Sequence, residues 1–197
     1  MTRVLVPLAP GFEEIEAVTI IDILSSVTDE CCFPRRANVE VTVAGTAAGP
    51  IVGSRGVPIT PDTTLDAVAG SRFDMIVLPG GGEGTAALRR DPRVAALVKD
   101  QAARGGYVAA ICAAPTVLAD AGLLDRKRVT SSPSYQSEFP ASDYRTDRVV
   151  IDGRLITSRS PGTALEFALV LVERLVGPDE SHRIGRDVLA QGAVDAA

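Results

Sequence analysis

The fold of this chain is decided by the stretch Gly106-Tyr107-Val108-Ala109-Ala110-Ile111-Cys112-Ala113-Ala114-Pro115-Thr116. An apolar run ends abruptly at Cys112, and the Pro-Thr-Val-Leu-Ala-Asp segment that follows is compatible with a helix. This order predicts a strand, a sharp turn and a helix, with the cysteine side chain pushed out of the sheet at the turn. Such a cramped backbone needs small neighbours, as in the Gly-x-Ser-x-Gly elbow of hydrolases, and Ala110 and Ala114 occupy the two small positions.

The position of Cys112 suggests a reactive thiol. The N-terminus of a helix favours negative charge, so we expect the side chain to lean towards thiolate. The alternative is a buried cysteine that behaves as a small hydrophobic side chain. The local sequence leaves both interpretations open.

Strands and helices alternate along the whole chain. Apolar runs predict strands at residues 3–8, 39–45 and 73–78, before Cys112 and at 129–130, with hairpins at 51–61 and 149–157. Helical patterns cover residues 13–24, 85–104 and a segment opening at Thr163, where Thr163 and Glu166 fit a capping box. Asp91-Pro92 divides the middle pattern into two helices, and one more helix is expected after Asp179. The alternation predicts a parallel-dominated sheet with helices on both faces.

Three informative segments follow predicted strands. They are residues 11–16, residues 79–82 and Cys112. Ligands of open α/β sheets bind beyond the carboxyl ends of the strands. We therefore expect these segments to converge on one site.

Composition limits the classes of protein to which this chain can belong. A chain of 197 residues with 46% hydrophobic content suits one domain with a substantial core. The net charge of -5, with both signs mixed along the chain, disfavours nucleic-acid binding by charge. No apolar stretch approaches the roughly 20 residues of a membrane span, and the first residues do not resemble a signal peptide. Three cysteines argue against a disulfide framework, so a cytoplasmic location is expected.

Four stretches together resemble the ThiJ/PfpI family, in its branch of Parkinson's-associated deglycases and glutathione-independent glyoxalases. They occur in family order and span nearly the whole chain: PGFEEIE at 10–16, VLPGG at 77–81, AAICAAP at 109–115 and TSRSPGT at 157–163. The resemblance implies one ThiJ/PfpI-like domain over residues 1–197 with a flavodoxin-like, three-layer α/β/α sandwich fold. It also implies a homodimer formed through the first helix and neighbouring segments.

The resemblance assigns candidate roles to the site residues. Glu16 matches the family's acid beside the cysteine; taken alone, it is one more acid in a helix turn. A carboxyl near a thiolate in a partly dry pocket has a raised pKa, and it can donate a hydrogen bond to Cys112 or act as general acid or base. By resemblance, the N–H groups of Gly81 and Ala113 flank the reacting oxygen. Without the resemblance, Gly80-Gly81-Gly82 would be a glycine-rich turn that ends a strand. It does not match a phosphate-binding loop, because no Gly-Lys-Ser/Thr follows.

The chain departs from the family at its histidine. Many members place a histidine near the cysteine, just before a proline, where this chain has Ser132. A serine can hydrogen-bond to substrate but cannot shuttle protons near neutral pH, which weakens efficient glyoxalase chemistry. The single histidine, His182, is expected on an exposed helix face. Ala113 stands where PfpI-type peptidases have a histidine, and His182 lacks the following x-Glu of glutamine amidotransferases, so both hydrolase classes are set aside.

A second departure is the long segment of residues 25–38, which contains Cys31 and Cys32. It is either a tolerated surface insertion or the carrier of a thiol that resolves an oxidised Cys112 or pairs across a dimer. Adjacent cysteines rarely bridge each other, because the peptide between them strains the disulfide.

The residues and the resemblance support two main hypotheses. The first is a cysteine-dependent enzyme that needs no metal or organic cofactor. Its Cys112 thiolate adds to a small 2-oxoaldehyde such as methylglyoxal, Glu16 moves protons, and lactate is released; glycation adducts are related substrates. The second is a redox-responsive protective protein or chaperone with an oxidisable Cys112. A weaker third is hydration or amide chemistry, as in isonitrile-hydratase relatives.

Overall fold

The computed structural model describes residues 1–28 and 38–190. Short strands and helices alternate along these ranges, together with two 3-10 turns at Pro133–Glu138 and Pro161–Thr163. The strands are β1 (Thr2–Leu8), β2 (Val39–Gly45), β3 (Ile51–Val52), β4 (Pro58–Ile59), β5 (Thr63–Thr64), β6 (Met75–Leu78), β7 (Tyr107–Ile111), β8 (Arg128–Val129), β9 (Asp143–Tyr144), β10 (Val149–Asp152) and β11 (Leu155–Ser158). The helices are α1 (Glu14–Ser25), α2 (Gly82–Arg90), α3 (Pro92–Ala103), α4 (Pro115–Asp120), α5 (Ala164–Val176) and α6 (Pro178–Asp187).

The central sheet has seven strands in the order β10-β11-β7-β6-β1-β2-β5. Every neighbouring pair is parallel except β10 with β11, which form the hairpin expected from the Asp-Gly turn. The mostly parallel sheet with helices on its faces confirms the flavodoxin-like α/β fold. It also places the carboxyl ends of β1, β6, β7 and β11 side by side.

Both faces of the sheet are buried, which explains the nearly continuous apolar strands. Val4 and Val6 of β1 face one cluster, which includes Phe167 of α5 and residues of α1. Leu5, between them, faces the other cluster, which includes Val98 of α3 and residues of α4. This alternation around a two-residue repeat fixes the register of β1, because a one-residue slip would exchange the two faces.

Most predicted elements form close to their expected bounds. The middle helical pattern is divided as expected at Asp91, whose side chain accepts the N–H of Arg93 (2.9 Å) at the start of α3. The capping box expected between Thr163 and Glu166 does not form. The Thr163 hydroxyl accepts the N–H of Ser160 (3.1 Å) instead, and Glu166 forms an ion pair with Arg148 (2.5 Å). In the described ranges, no helix has both the length and the apolarity needed to cross a bilayer.

Candidate active site around Cys112

Cys112 occupies a strained turn directly after β7. Its backbone has φ of 64°, in the left-handed region that residues other than glycine rarely adopt. Its N–H donates to the carbonyl of Ser158 (3.0 Å), and its own carbonyl accepts the N–H of Ser132 (2.8 Å). The turn therefore joins β7 to β11 and to the segment after β8, and it holds the half-buried side chain out of the sheet. The predicted strand–turn–helix geometry is confirmed.

Glu16 reaches the same point from α1. The Glu13 side chain caps this helix by accepting the N–H of Glu16 (2.8 Å), which fixes its first turn. The Glu16 side chain is fully buried, and its Oε2 accepts the N–H of Gly80 (2.8 Å) at the end of β6. The carboxyl also interacts with the Cys112 thiol. The three segments expected to converge do so.

Burial dominates the electrostatics of this pair. Removal from water raises the pKa of Glu16 to about 7, although the Gly80 N–H and the Cys112 thiol favour its charged form. Removal from water, followed by the charge and hydrogen bond of Glu16, raises the pKa of the Cys112 thiol to about 12. The expected lean towards thiolate is therefore wrong for the thiol beside an ionised Glu16. The N–H groups of Gly81 and Ala113 oppose this shift but do not offset burial.

Cys112 and Glu16 consequently share one proton over a wide pH range. Both pKa values are raised by burial, so the pair resists losing its second proton. A thiolate at neutral pH forms when that proton resides on Glu16. Glu16 Oε1 is buried and has no hydrogen-bond partner within the described residues that meets normal geometry. This oxygen is available to hold the proton.

The raised pKa of Glu16 makes the stability of the fold depend on pH. Its folded pKa of about 7 lies above the usual 4.5, so between these values the native state binds more protons than the unfolded state. The contribution of Glu16 to the free energy of unfolding is therefore fully present at or below pH 4.5. It is lost as the pH rises through 7. The expected fall is about 3 kcal/mol, since one pKa unit corresponds to about 1.4 kcal/mol.

Urea unfolding between pH 5 and pH 8 measures this loss. Glu16→Gln should flatten the profile, because the amide keeps the shape of the carboxyl and does not titrate. The control is Glu83→Gln, which changes an exposed glutamate of α2 and should leave the slope unchanged. Identical slopes for the wild type and Glu16→Gln would contradict a raised pKa of Glu16.

The glycine turn of residues 80–82 fits closely around the pair. A Cβ on Gly80 would lie 2.7 Å from both the Cys112 Cβ and Glu16 Oε2, so only glycine fits there. The N–H groups of Gly81 and Ala113 lie close enough to the Cys112 thiol to favour its charged form. The two expected donors thus lie together at the thiol, and their action on a reacting oxygen stays a prediction.

The segment after β8 also lies beside the Cys112 turn. Ser132 lies beside Cys112 through its backbone N–H, and its side chain is half-buried. Tyr135 has no signal in the sequence, yet its hydroxyl lies 3.5 Å from the position that a Cβ on Gly82 would take. The 3-10 turn that carries Tyr135 is short and polar and begins at Pro133, so no periodic pattern indicated it. His182 is exposed on α6, as expected.

Two further expectations concern thiols and metals. Cys31 and Cys32 lie outside the described residues. Within residues 1–28 and 38–190, no three His, Cys, Asp or Glu side chains come together as a set of metal ligands.

Comparison with known proteins agrees with this geometry. Residues 2–174 match the model of the DJ-1/PfpI family. The chain belongs to the DJ-1/PfpI family. Protein dj-1beta of Drosophila melanogaster is 45% identical over 188 residues, which cover 94% of this chain and 95% of the relative. Its crystal structure superposes with a TM-score of 0.88 at 42% identity, over 95% of this chain and 97% of the other.

Two other members of the DJ-1/PfpI family bear on function. The glutathione-independent glyoxalase DJR-1.2 of Caenorhabditis elegans is 37% identical over 174 residues, which cover 87% of each chain. The structure of oxidised Toxoplasma gondii DJ-1 superposes with a TM-score of 0.88 at 35% identity, over 96% of this chain and 98% of the other. The resemblance stated from four sequence stretches is confirmed at the level of family and fold.

Proposed function

We propose that this chain is a cysteine-dependent glyoxalase-type enzyme that converts methylglyoxal to lactate without a cofactor and acts on early glycation adducts by the same covalent chemistry. The observation that carries the proposal is the contact between Cys112, in its strained turn, and the buried Glu16 carboxyl with a pKa of about 7. A general acid–base group works best when its pKa lies near the working pH. The glyoxalase relative from Caenorhabditis elegans supports the substrate class.

The first step is addition of the Cys112 sulfur to the aldehyde carbon. The thiol proton moves to the Glu16 carboxylate, the S–C bond forms, and the carbonyl oxygen gains negative charge. The N–H groups of Gly81 and Ala113, which already favour negative charge on the sulfur, are proposed to stabilise that oxygen until it takes the proton from Glu16. The product is a hemithioacetal, and Glu16 is again a carboxylate.

The second step moves hydrogen between the two carbons. Glu16 removes the proton from the carbon bonded to sulfur, giving an enediolate, and returns it to the neighbouring carbon. The hydroxyl proton on the sulfur-bearing carbon passes to the neighbouring oxygen, so that a C=O forms beside the sulfur. The result is a thioester of lactate. Water then cleaves the thioester, so methylglyoxal and one water give lactate and the thiol is restored. Ser132 stands where the family resemblance leads us to expect a histidine, so we propose that its hydroxyl binds substrate while Glu16 alone activates the water.

The direct test is chiral detection of lactate made from methylglyoxal by the wild-type protein. Lactate should form in equal amount to the methylglyoxal consumed, with one enantiomer dominant and no added glutathione. Methylglyoxal also modifies arginine and lysine side chains without forming lactate. Loss of methylglyoxal without lactate would therefore contradict the proposal.

Redox protection is the second candidate function. The specific observation is that the Gly81 and Ala113 N–H groups favour the charged form of the Cys112 sulfur, which also interacts with the Glu16 carboxyl. These donors also suit a sulfenate or sulfinate, the first oxidation products of a thiol. The oxidised Toxoplasma gondii relative supports this candidate. The readout would be binding of a partner or a holdase activity.

We also propose a homodimer in the cytoplasm, formed through a surface that we call the hairpin patch. Four apolar residues of α1 and of the β3–β4 hairpin are 48–57% exposed: Ile15, Val18, Val52 and Val57. Glu14 ties the hairpin to α1, since its carboxylate accepts the N–H of Arg55 (2.5 Å) and the hydroxyl of Ser54 (2.9 Å). Neighbouring exposed apolar residues of this kind mark interaction sites.

Val18→Glu should convert the dimer to a monomer. Burying an unpaired carboxylate costs several kcal/mol, so we expect the dimer dissociation constant to rise by about 100-fold or more. Sedimentation equilibrium at micromolar concentration measures the change. Val188→Glu places the same charge on an exposed valine of the C-terminal region and serves as the control. A dimer that survives Val18→Glu would place the interface elsewhere.

A further inference from the structure

A second cleft lies at the end of the sheet opposite Cys112. It has a volume of about 570 Å³ and is formed where β1, β6, β7 and β11 begin and α3 and α5 end. Tyr107, the first residue of β7, lines it, whereas Cys112 follows the last residue of that strand. Five strand residues separate the two by about 16 Å. The cleft is therefore distinct from the candidate active site.

The cleft concentrates positive charge in an acidic protein. Its lining contains one carboxylate, Asp74, whose Oδ2 accepts the backbone N–H of Arg3 (2.8 Å). Five arginines line the same space: Arg3, Arg72, Arg104, Arg154 and Arg174. The chain as a whole carries a net charge of -5, so this concentration is local.

Three of these arginines have structural partners. Arg104 follows α3 and Arg174 lies in the last turn of α5, where positive charge stabilises a helix. Each of the three arginines forms an ion pair: Arg104 with Asp100 (3.0 Å), Arg174 with Glu173 (3.4 Å) and Arg3 with Glu40 (3.4 Å). Local structure thus accounts for these three.

Arg72 and Arg154 have no such explanation. Arg72 lies in the loop before β6, and Arg154 lies in the turn between β10 and β11. Across residues 1–28 and 38–190, neither guanidinium forms an ion pair or donates a hydrogen bond. The Arg154 Cζ stands 4.4 Å from the centre of the Tyr107 ring. A guanidinium held by a ring is positioned, yet it keeps its donors for another acceptor.

The geometry points to a binding site for a small molecule that carries a diphosphate group, with Arg72 and Arg154 binding its oxygens. The planar guanidinium matches phosphate oxygens in a bidentate arrangement. Arg72 precedes β6 and Arg154 precedes β11, and these two strands lie on either side of β7, so the starts of the strands are about two strand spacings, or 10 Å, apart. That span suits two linked phosphates better than one. The volume also lies within the range of about 300–1,000 Å³ typical of small-molecule sites.

Calorimetric titration with inorganic pyrophosphate at low ionic strength tests the site. We expect saturable binding of one pyrophosphate per chain, weaker binding of inorganic phosphate, and affinity that falls with added salt. The Arg72→Gln/Arg154→Gln variant should bind pyrophosphate at least about ten-fold more weakly, because each lost contact is a charge-assisted hydrogen bond. Titration with ADP in parallel distinguishes a diphosphate ester, which should bind more tightly than pyrophosphate, from the free ion.

The control is Arg90→Gln/Arg186→Gln, which removes two exposed charges outside the cleft and should leave affinity unchanged. Arg154→Lys keeps the charge without the planar fork and should bind with intermediate affinity. Thermal unfolding verifies each fold, and Arg72→Gln alone carries the test if the double variant is unstable. No binding by the wild type, or equal weakening in the control, would overturn the proposal. The Arg72→Gln/Arg154→Gln variant and its control should both turn over methylglyoxal as the wild type does. The diphosphate site and the proposed glyoxalase activity can therefore fail independently.

Discussion

Cys112→Ser is expected to abolish lactate formation from methylglyoxal, lowering kcat/KM by at least about 10³-fold, the usual scale for loss of a covalent nucleophile. Serine has nearly the same size and can occupy the same turn, so the fold should survive. Its hydroxyl, however, is far less acidic than a thiol. A Glu16 carboxylate with a pKa of about 7 is too weak a base to generate an alkoxide.

The matched control removes the other thiols. The Cys31→Ser/Cys32→Ser variant leaves Cys112 as the only cysteine of the 197-residue chain and should retain full activity. Activity that survives Cys112→Ser would refute covalent catalysis by this residue. If even the wild type makes no lactate, mild peroxide followed by peptide mass spectrometry decides the next step. Oxidation of Cys112 ahead of Cys31 and Cys32 would then favour the redox function.

The fold could be predicted from the sequence because helices cover both faces of the sheet. The strands are therefore nearly continuous apolar runs, which are easy to recognise. A strand such as residues 39–45, rich in valine and bounded by polar residues, is observed with the expected bounds. The turn at Cys112 is also predictable, because an apolar run ends there, small alanines flank the cysteine and a helix-compatible segment follows. Convergence of Glu16, Gly80 and Cys112 then followed from the parallel order of the strands.

Features that depend on tertiary burial could not be predicted in this way. The thiol pKa was expected to fall because a helix begins after Cys112. That helix has only six residues, and the exclusion of water together with the Glu16 charge outweighs its field. Similarly, the Thr163 hydroxyl bonds to Ser158 (2.7 Å) and Ser160 rather than to its own helix, because these partners are brought close by the β11 turn. The thiol pKa thus depends on Glu16, which is far from Cys112 in the sequence, whereas the Thr163 bonds lie within residues 158–163, one turn before the expected capping box.

Gly81→Ala is expected to damage the fold of the site. Gly81 has φ of +96°, and a Cβ there would lie 2.7 Å from the Glu13 nitrogen and 2.8 Å from the Phe12 carbonyl carbon. Backbone atoms cannot move aside as a flexible side chain can. Backbone strain and overpacking together predict a loss of about 2–5 kcal/mol in the free energy of unfolding. Activity should fall as well, because displacement of residues 12–13 moves the start of α1 and with it Glu16.

Gly82→Ala provides a matched control one residue away. Gly82 is the first residue of α2, its φ is not positive, and its Cβ would meet only the Tyr135 hydroxyl at 3.5 Å, an ordinary contact. We expect a change within about 0.5 kcal/mol, as for a substitution away from packed or strained positions. Urea unfolding of the two variants compares them directly. Equal stability would show that residues 11–13 do not confine Gly81, and the Gly81 N–H that favours the charged form of Cys112 would then lack the rigid support that stabilisation of a developing charge requires.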